Sequence, residues 1–474
     1  MSVTGTPTFA VVGRVNKGKS SVVSTLIEDD SVRVDPEPGT TRVCTRFPFR
    51  ADDGRTLCYV VDTPGFEEAP RALTWLRERE GTAADRPATV AKFVASFRGS
   101  GEFADECALL EPILDGAAVL YVVDASLPYR ANYEAEMEIL RWTGRPGMAL
   151  INKIGGDDHV EEWRRALSQY FSVVRMFDAH RSGFAERISL LRAFRELDDG
   201  ARPAIDEAIA VLRADWARRR ERSGRVIAQL VADAVTYTEE HRLGEHDRPD
   251  AHHGEWQAAF LESLRRRERQ ARGEIETLYR HERLEREESD LTAESFDRDL
   301  FAEESRRIFG LDTWQLVRAG AVGGAAIGGT IDAATLGHSF LLGTVIGGAV
   351  GGAAAYWGGL RIAEVRVLGQ RVGGRVAVVG PVRDANFPWI VLDRALAHFE
   401  SVARRAHAQR DVLEIPRAAH KVGASSRLEA AERSRLGAMF SKMRSRGSPA
   451  SEESVEALAE RVAKLLPAVA DDGK

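Results

Sequence analysis

The sequence predicts an α/β domain over residues 1–200, built as three layers around a mostly parallel sheet, followed by a largely α-helical C-terminal region. Three observations support this prediction. Up to residue 200, short apolar or β-branched runs alternate with amphipathic stretches, as expected for buried parallel strands between helices. After residue 200, apolar side chains recur at helical spacing. Residues 319–361 are rich in glycine and alanine, which predicts a closely packed helical hairpin.

The strands and helices of the α/β domain follow from individual runs. The predicted strands are short, apolar and bounded by turn residues: Thr8–Val12, Leu57–Val61, Ala118–Val123, Met148–Ile151 and Ser172–Phe177. The predicted helices between them are Ser20–Ile27, Tyr133–Trp142 and Val160–Tyr170. The segment Pro70–Leu110 is longer than a plain connection needs, so we expect it to add helix.

Changes in composition divide the chain into four predicted segments. These are the α/β domain of residues 1–200, a charged helical region over 201–318, the glycine- and alanine-rich hairpin of 319–361, and a mixed, mainly helical region over 362–474. Arginine runs in the second segment lie among glutamates, which favours a solvated helix face over a nucleic-acid patch. In the C-terminal half the sequence further predicts a loop at Gly244–Gly254, a short strand at Arg375–Val379, helices at Leu392–Arg405 and Val455–Leu466, and a polar, flexible stretch at Ser441–Glu453.

Length, charge and cysteine content exclude several protein classes. At 474 residues the chain is too long for one ordinary domain, and 44% hydrophobic residues are enough to bury a core. The net charge of −6 argues against a nucleic-acid partner. Three cysteines are too few for a disulfide framework. The N-terminal residues have no basic stretch before an apolar core, so we expect no secretory signal and a cytoplasmic location.

A phosphate-binding loop follows the first predicted strand. Residues 13–20 read GRVNKGKS, which is the pattern GxxxxGK[ST] between a strand and a helix. In such a loop, backbone N–H groups and the helix N-terminus surround the phosphates of a nucleotide. We expect Lys19 to reach the β- and γ-phosphates from the solvent side, and the Ser20 hydroxyl to bind Mg²⁺.

A second motif, DTPG at residues 62–65, ends the predicted strand Leu57–Val61. An aspartate at a strand end can hold the water shell of a magnesium ion, which gives Asp62 this role. Gly65 offers an N–H to the γ-phosphate with no side chain in the way. Between the two motifs, residues 38–42 read PGTTR, and one of these threonines should complete the magnesium shell when a γ-phosphate is bound.

The three motifs together resemble those of the Era/TrmE-like, translation-factor-class P-loop GTPases, in order and spacing. The resemblance implies GTP and GDP as ligands, Mg²⁺ as cofactor, and Thr41 as the magnesium-binding threonine. It also implies that Asn16 helps to coordinate a potassium ion near the phosphates. The implied catalytic residues are Lys19, Thr41 and Gly65.

Phe66 follows DTPG at the position where Ras-type proteins carry a glutamine. An apolar side chain cannot orient the attacking water, so we expect slow intrinsic hydrolysis, or hydrolysis aided by a cation, a partner or a homodimer.

The base-recognition motif departs from the family pattern. Asn152 and Lys153 follow a predicted strand, as in NKxD, but Gly155 stands where the family has the aspartate that binds guanine. Asp157 or Asp158 could approach the base from a distorted loop, although the spacing is wrong. We still expect a preference for guanine, because the other motifs match those of the GTPase family.

A fifth motif completes the predicted site. Residues 178–180 read DAH and resemble the family's usual Ser-Ala-x, whose backbone contacts the base. The predicted nucleotide-binding residues are Gly13, Asn16, Lys17, Gly18, Lys19, Ser20, Ser21, Asp62, Gly65, Asn152, Lys153, Asp178, Ala179 and His180. The predicted metal ligands are Ser20, Thr41 and Asp62 for magnesium and Asn16 for potassium.

The whole chain also resembles a narrower group, bacterial GTPases whose C-terminal half is a domain of unknown function. The residues that carry this resemblance are the glycine- and alanine-rich stretch, the run GPVRDANFPWIVLDRAL from Gly380, and RAHAQR over 405–410. The resemblance implies an architecture for the C-terminal half and assigns it no role.

The glycine-rich segment leaves three alternatives open. Residues 340–360 form a charge-free run long enough to cross a bilayer, which favours a membrane-inserting hairpin. Glycines spaced four apart, such as Gly343, Gly347 and Gly351, equally suit a tight hairpin buried in the protein. A flexible linker is the third alternative. The predicted location is therefore either the cytoplasm or the inner face of the cell membrane, which the protein would contact through residues 319–361.

Two functions from different classes fit the sequence. The first is an enzyme that hydrolyses GTP to GDP and phosphate and acts as a molecular switch. The second is a nucleotide-gated membrane or scaffold module with negligible hydrolysis, which Phe66 and Gly155 favour.

Overall fold

A computed structural model of the chain describes residues 6–15, 17–28, 44–152, 159–179, 181–244, 246, 249–281, 361–367, 370–382, 385, 387–409, 424–446 and 449–467. Several predicted features lie outside these residues: Asn16, Thr41, Lys153, Gly155, Asp157, Asp158, His180 and the hairpin of 319–361 up to residue 360. Among the helices that the structure does describe, none is long and apolar enough to cross a bilayer.

A six-stranded sheet forms the centre of the N-terminal domain, with strand order β2-β3-β1-β4-β5-β6. Its strands are β1 (Thr8–Val12), β2 (Thr45–Arg50), β3 (Thr56–Asp62), β4 (Ala118–Asp124), β5 (Gly147–Asn152) and β6 (Val173–Phe177). All neighbouring pairs are parallel except β2 with β3. The predicted mostly parallel sheet is confirmed, and the sequence missed β2. This edge strand is largely exposed and contains Pro48, so it lacks the apolar run that marked the others.

Helices cover both faces of this sheet. They are α1 (Lys19–Ile27), α2 (Ala69–Arg77), α3 (Arg86–Phe97), α4 (Ala104–Leu114), α5 (Glu134–Trp142), α6 (Val160–Leu167) and α7 (Phe184–Leu197). One buried core lies between the sheet and α2 to α6, and a second lies between the sheet and α1 with α7. The helix expected within Pro70–Leu110 is confirmed and consists of three helices, α2 to α4, separated by turns at residues 78–82 and 98–103.

The C-terminal half is largely helical, as predicted, and it also contains a small antiparallel sheet of order β7-β9-β8. Its elements are α8 (Arg202–Thr236), β7 (Glu239–Leu243), α9 (Pro249–Leu278), β8 (Arg361–Val367), β9 (Gln370–Val379), α10 (Phe387–Arg404), α11 (Ala430–Arg446) and α12 (Glu452–Leu465). The only strand expected here, Arg375–Val379, is the end of the longer β9. The other two strands carry polar and charged residues, and the pairing partner of β7 lies more than a hundred residues further along the chain.

Two predicted boundaries in this half are wrong. The predicted loop Gly244–Gly254 ends early, because α9 begins at Pro249, where a proline suits the first turn of a helix. The stretch Ser441–Glu453, expected to be flexible, begins inside α11, which continues to Arg446 and buries Met443 against the C-terminal core.

The long helix α8 belongs to both halves of the molecule. Near its start, Ile205 and Leu212 lie in the core shared with α1 and α7. Near its end, Ile227 and Val231 lie in the core of the C-terminal half. The predicted domain boundary at residue 200 stays a prediction, but no break in the helix separates the two cores.

Candidate nucleotide-binding site

The phosphate loop connects β1 to α1 at the carboxyl edge of the sheet. Gly13 adopts φ +142°, and a Cβ atom there would lie 2.4 Å from the Val122 carbonyl oxygen of β4. Only glycine therefore allows β1 and β4 to stay this close while the chain turns into the loop. Gly18, with φ +79°, then precedes the first helical residue, Lys19.

Lys19 extends across the loop and donates from Nζ to the Arg14 carbonyl oxygen at 2.8 Å. The sequence had suggested that Lys19 lies on the solvent side of the loop. The residue is only 7% exposed and therefore lies inside the loop. Burial lowers the pKa of this amine to about 8, and the nearby carboxylates of Asp62 and Glu136 oppose the shift. The amine thus sits among the backbone groups of the loop, within the field of two carboxylates.

The first and third motifs meet at Ser20 and Asp62, which are 42 residues apart in sequence. The Ser20 hydroxyl donates to Asp62 Oδ2 at 2.7 Å, and Asp62 is buried at the end of β3. A hydroxyl and a carboxylate beside a phosphate loop are the hard oxygen donors that Mg²⁺ prefers. These two residues fit a magnesium ion shared with nucleotide phosphates. Across the ranges that the structure describes, no group of three or more His, Cys, Asp or Glu residues forms a protein-only metal site.

The segment after β3 packs directly on the phosphate loop. A Cβ atom at Gly65 would lie 2.5 Å from the Val15 backbone nitrogen, so only glycine permits this approach. Phe66 pairs with Arg14 through the backbone, and its side chain is 4% exposed within the core under α2 to α6. The residue at the glutamine position of Ras-type proteins is therefore a core residue.

Asn152 links three motifs of the predicted site. Its Nδ2 donates to the Lys17 carbonyl oxygen at 3.3 Å, and its Oδ1 accepts from the Ala179 N–H at 3.2 Å. The Thr25 hydroxyl of α1 donates to the Ala179 carbonyl at 2.7 Å, and the Lys17 amine pairs with Asp124 at 3.5 Å. The phosphate loop and the fourth and fifth motifs thus form one hydrogen-bonded unit.

The other described members of the predicted set lie around this unit. Ser21 is buried in α1, and the Asp178 carbonyl oxygen accepts from the Ser182 N–H at 2.7 Å. The structure therefore brings together, at one edge of the sheet, the described residues Gly13, Lys17, Gly18, Lys19, Ser20, Ser21, Asp62, Gly65, Asn152, Asp178 and Ala179. That they bind nucleotide stays a prediction.

Sequence reasoning missed an acidic group beneath the loop. Glu136 of α5 is fully buried, forms an ion pair with Arg14 and accepts from the Tyr121 hydroxyl at 2.9 Å. Burial raises the pKa of Glu136 to about 7, although Arg14 acts in the opposite direction. The sequence pattern could have indicated this residue. Glu136 shares a helix face with Ile139 and Leu140, and a charged residue within an apolar stripe is unusual.

A second missed residue has the same signal. Glu106 of α4 lies on the helix face that buries Leu109, Leu110 and Ile113, and it is itself 1% exposed. Its carboxylate contacts the backbone that follows DTPG.

Known family models match both the N-terminal and the C-terminal part of the chain. The family model described as "Domain of unknown function (DUF3482)" matches residues 164–466, well over half of the chain. The chain belongs to this family. Residues 8–153, which hold the phosphate loop and DTPG, match the model described as "50S ribosome-binding GTPase". The chain therefore carries a P-loop domain of a GTP-hydrolysing enzyme family, and the predicted combination with a C-terminal domain of unknown function is confirmed.

The curated relatives are proteins named GTPase Der. The one from Streptomyces coelicolor is 31% identical over 150 residues, covering 32% of this chain and 26% of the relative. The one from Xanthomonas campestris pv. campestris (strain B100) is 30% identical over 218 residues, covering 45% and 40%. The chain thus spans less than half the length of these relatives. Among solved structures, a crystal structure of an Era variant from Aquifex aeolicus bound to GDP.AlF4- is 15% identical over 57% of this chain and 88% of that one, with a TM-score of 0.27.

Proposed function

We propose that this protein binds GTP with Mg²⁺, hydrolyses it slowly to GDP and phosphate, and passes the change in nucleotide state to its C-terminal half. The observation that carries the proposal is the 2.7 Å hydrogen bond between Ser20 and Asp62. Both residues are proposed magnesium ligands, and their contact supports the proposal because it joins the first and third motifs beside the phosphate loop. Membership of residues 8–153 in a GTPase family supports the same reaction.

Each group of the site has a distinct task in this proposal. Lys19 and the loop N–H groups would stabilise negative charge on the transferred phosphoryl group, and the Gly65 N–H would bind the γ-phosphate. Ser20, Asp62 and Thr41 would hold a magnesium ion, whose positive charge would offset that of the nucleotide phosphates. Water is the nucleophile. Because Phe66 lies in the core, it cannot orient this water, and we expect a slow intrinsic rate.

Contacts between the two halves support a route by which a change in nucleotide state could reach the C-terminal half. Glu28 ends α1 directly before residues 29–43, which contain Thr41, and Asp52 lies in the turn between β2 and β3. Arg219 of α8 pairs with Glu28 at 2.9 Å and with Asp52 at 2.7 Å. Arg280, after α9, pairs with the same carboxylates at 3.5 and 2.9 Å. A change in nucleotide state that shifts Glu28 or Asp52 would therefore also act on Arg219 of α8 and on Arg280.

Guanine is the proposed base and potassium a proposed second cation. The GTPase names of the curated relatives and the position of Asn152 between the phosphate loop and the fifth motif support guanine. Asn16 stands where the resembling family binds potassium. A homodimer in which one copy assists the other is also part of the proposal, because Phe66 leaves the water without a side chain to orient it.

Single-turnover hydrolysis tests this function. With Mg²⁺, we expect slow conversion of GTP to GDP, faster in potassium than in sodium, and a much slower reaction with ATP. Lys19→Ala should abolish nucleotide binding, while Lys92→Ala, at an exposed position on α3, should not change it. Absence of GTP binding by the wild-type protein would overturn the proposal. Equal rates in both salts would remove only the potassium assignment.

A nucleotide-gated module with negligible hydrolysis is the second candidate, and burial of Phe66 is the observation that favours it. Tight GTP binding without turnover over many hours would select this candidate. Membrane contact at the inner face of the cell membrane would fit either function, because residues 340–360 carry no charge. Deleting residues 319–359 should then move the protein from the membrane pellet to the supernatant. Wild-type protein found only in the supernatant would contradict membrane contact.

A further inference from the structure

Helix α4 contacts the chain directly after DTPG and again at Cys44. Glu106 Oε1 accepts from the backbone N–H of Glu67 at 2.9 Å and from that of Glu68 at 2.6 Å, directly after DTPG. Two residues further along α4, the Ala108 carbonyl oxygen accepts from the Cys44 thiol at 3.0 Å. Cys44 follows residues 29–43, which contain Thr41, so one helix contacts the chain after both the second and the third motif.

The contact with Glu106 completes the start of α2. Glu68 is the N-cap residue of α2, and its own side chain makes no capping hydrogen bond. Glu106 accepts from the N–H of this N-cap residue and from that of the residue before it. Its carboxylate thus lies near the start of α2, where the partial positive charge of a helix N-terminus favours an anion. Burial raises the pKa of Glu106, and the N–H groups of Glu67 and Glu68 oppose the shift because they favour the ionised form.

Four successive residues, beginning with the last residue of DTPG, are therefore fixed by different neighbours. Gly65 packs on the Val15 backbone, and Phe66 lies in the core that also contains Phe103 of the turn before α4. Glu106 then holds the next two N–H groups. Because Gly65 is packed against Val15 and Glu67 is hydrogen-bonded to Glu106, the peptide units between them have little freedom to rotate.

We propose that Glu106 is a positioning residue for the γ-phosphate: by anchoring the backbone at Glu67 and Glu68, it holds the Gly65 N–H in the direction that binds GTP. This inference rests on the proposed function. It assigns a task in the GTPase cycle to the long insertion between β3 and β4. Glu106 itself does not touch the nucleotide, so its effect must appear in the preference for GTP over GDP and in the rate, and not in affinity for GDP.

Affinities for fluorescent GDP and for a non-hydrolysable fluorescent GTP analogue, together with single-turnover rates, test the inference in the full-length protein. For Glu106→Ala, loss of hydrogen bonds to a charged acceptor should lower the preference for the GTP analogue over GDP about tenfold. The hydrolysis rate should fall by a similar factor, while GDP affinity stays within about twofold. Glu106→Gln keeps an acceptor oxygen without its charge and should lower the preference about threefold.

Glu111→Ala is the matched control, because Glu111 lies on the same helix with an exposed side chain paired to Arg98. It should leave both the preference and the rate unchanged. A preference that is unchanged or increased in Glu106→Gln would overturn the inference, as would equal losses of GDP and GTP affinity. Should Glu106→Ala fail to fold, the Gln variant decides the question. If wild-type protein binds no GTP, the proposed function fails instead, so the two failures are distinguishable.

Discussion

Arg219 of α8 donates to the Glu28 carboxylate at 2.9 Å, and both side chains are buried where the N-terminal domain meets the C-terminal half. Glu28 also pairs with Arg187 of α7. Burial by itself raises the pKa of Glu28, but Arg187 and Arg219 outweigh it and hold that pKa well below its usual range. Arg219 joins the same network to Asp52 beyond the next strand. Glu28 and Asp52 lie before and after residues 29–51 in sequence, and Arg219 of α8 thus joins both of them to the C-terminal half.

Arg219→Ala should destabilise the protein by about 3 kcal/mol, because it leaves two carboxylates short of a buried cation. Urea denaturation measures this change as a lower transition midpoint. Arg225→Ala is the control, since Arg225 is exposed on the same helix and pairs with the exposed Glu452. Its effect should stay below about 1 kcal/mol. Equal losses in the two variants would show that the Glu28 network does not stabilise the junction.

Nucleotide affinity should fall at alkaline pH because of Lys19. Burial lowers the pKa of its amine to about 8, and only the protonated amine attracts phosphate. Affinity for GDP should therefore be constant below that pKa and fall about tenfold for each pH unit above it. Fluorescence titrations between pH 7 and 9 measure this slope. Lys19→Arg keeps its charge throughout and should give weaker but pH-independent binding. A wild-type slope equal to that of the variant would assign the titration to another group.

Glu136 should make stability decrease as pH rises. Burial raises the pKa of its carboxyl from 4.5 to about 7 in the folded protein, so the folded state keeps a proton that the unfolded state loses. The contribution is full below the unfolded pKa and is lost as pH rises through the folded value, with a total of about 3 kcal/mol. Denaturation of wild type and Glu136→Gln from pH 5 to 8 measures it. We expect a flatter curve for the variant, and parallel curves would contradict the assignment.

Gly155→Asp should increase the preference for GTP over ATP. An aspartate in the fourth motif would accept charge-assisted hydrogen bonds from guanine that adenine cannot donate. Competition binding with both nucleotides measures the ratio of affinities. The prediction is wrong if wild type already discriminates several hundredfold and the substitution lowers that ratio. Asp157 or Asp158 would then be the better candidate for the base ligand.

Local sequence patterns were sufficient to predict much of the N-terminal domain. Five strands could be predicted because each is a short apolar run buried between helices, and the phosphate loop could be predicted because its glycines, lysine and serine act within eight consecutive residues. The edge strand β2 could not, since one of its faces is exposed and its sequence alternates charged and apolar residues around a proline. The small sheet of the C-terminal half depends on pairing between strands more than a hundred residues apart.

The sequence by itself determined the phosphate loop and the DTPG motif, the order of the parallel strands along the chain, and the helical character of the C-terminal half. Only the tertiary structure decided that Phe66 is a core residue, that Lys19 lies inside its loop, and that Glu106 holds the backbone after DTPG. The physical reason is the range of the interactions. Helix periodicity and loop geometry are properties of neighbouring residues, whereas the partners of a buried carboxylate are chosen by packing, which joins Glu28 to Arg219 across 191 residues.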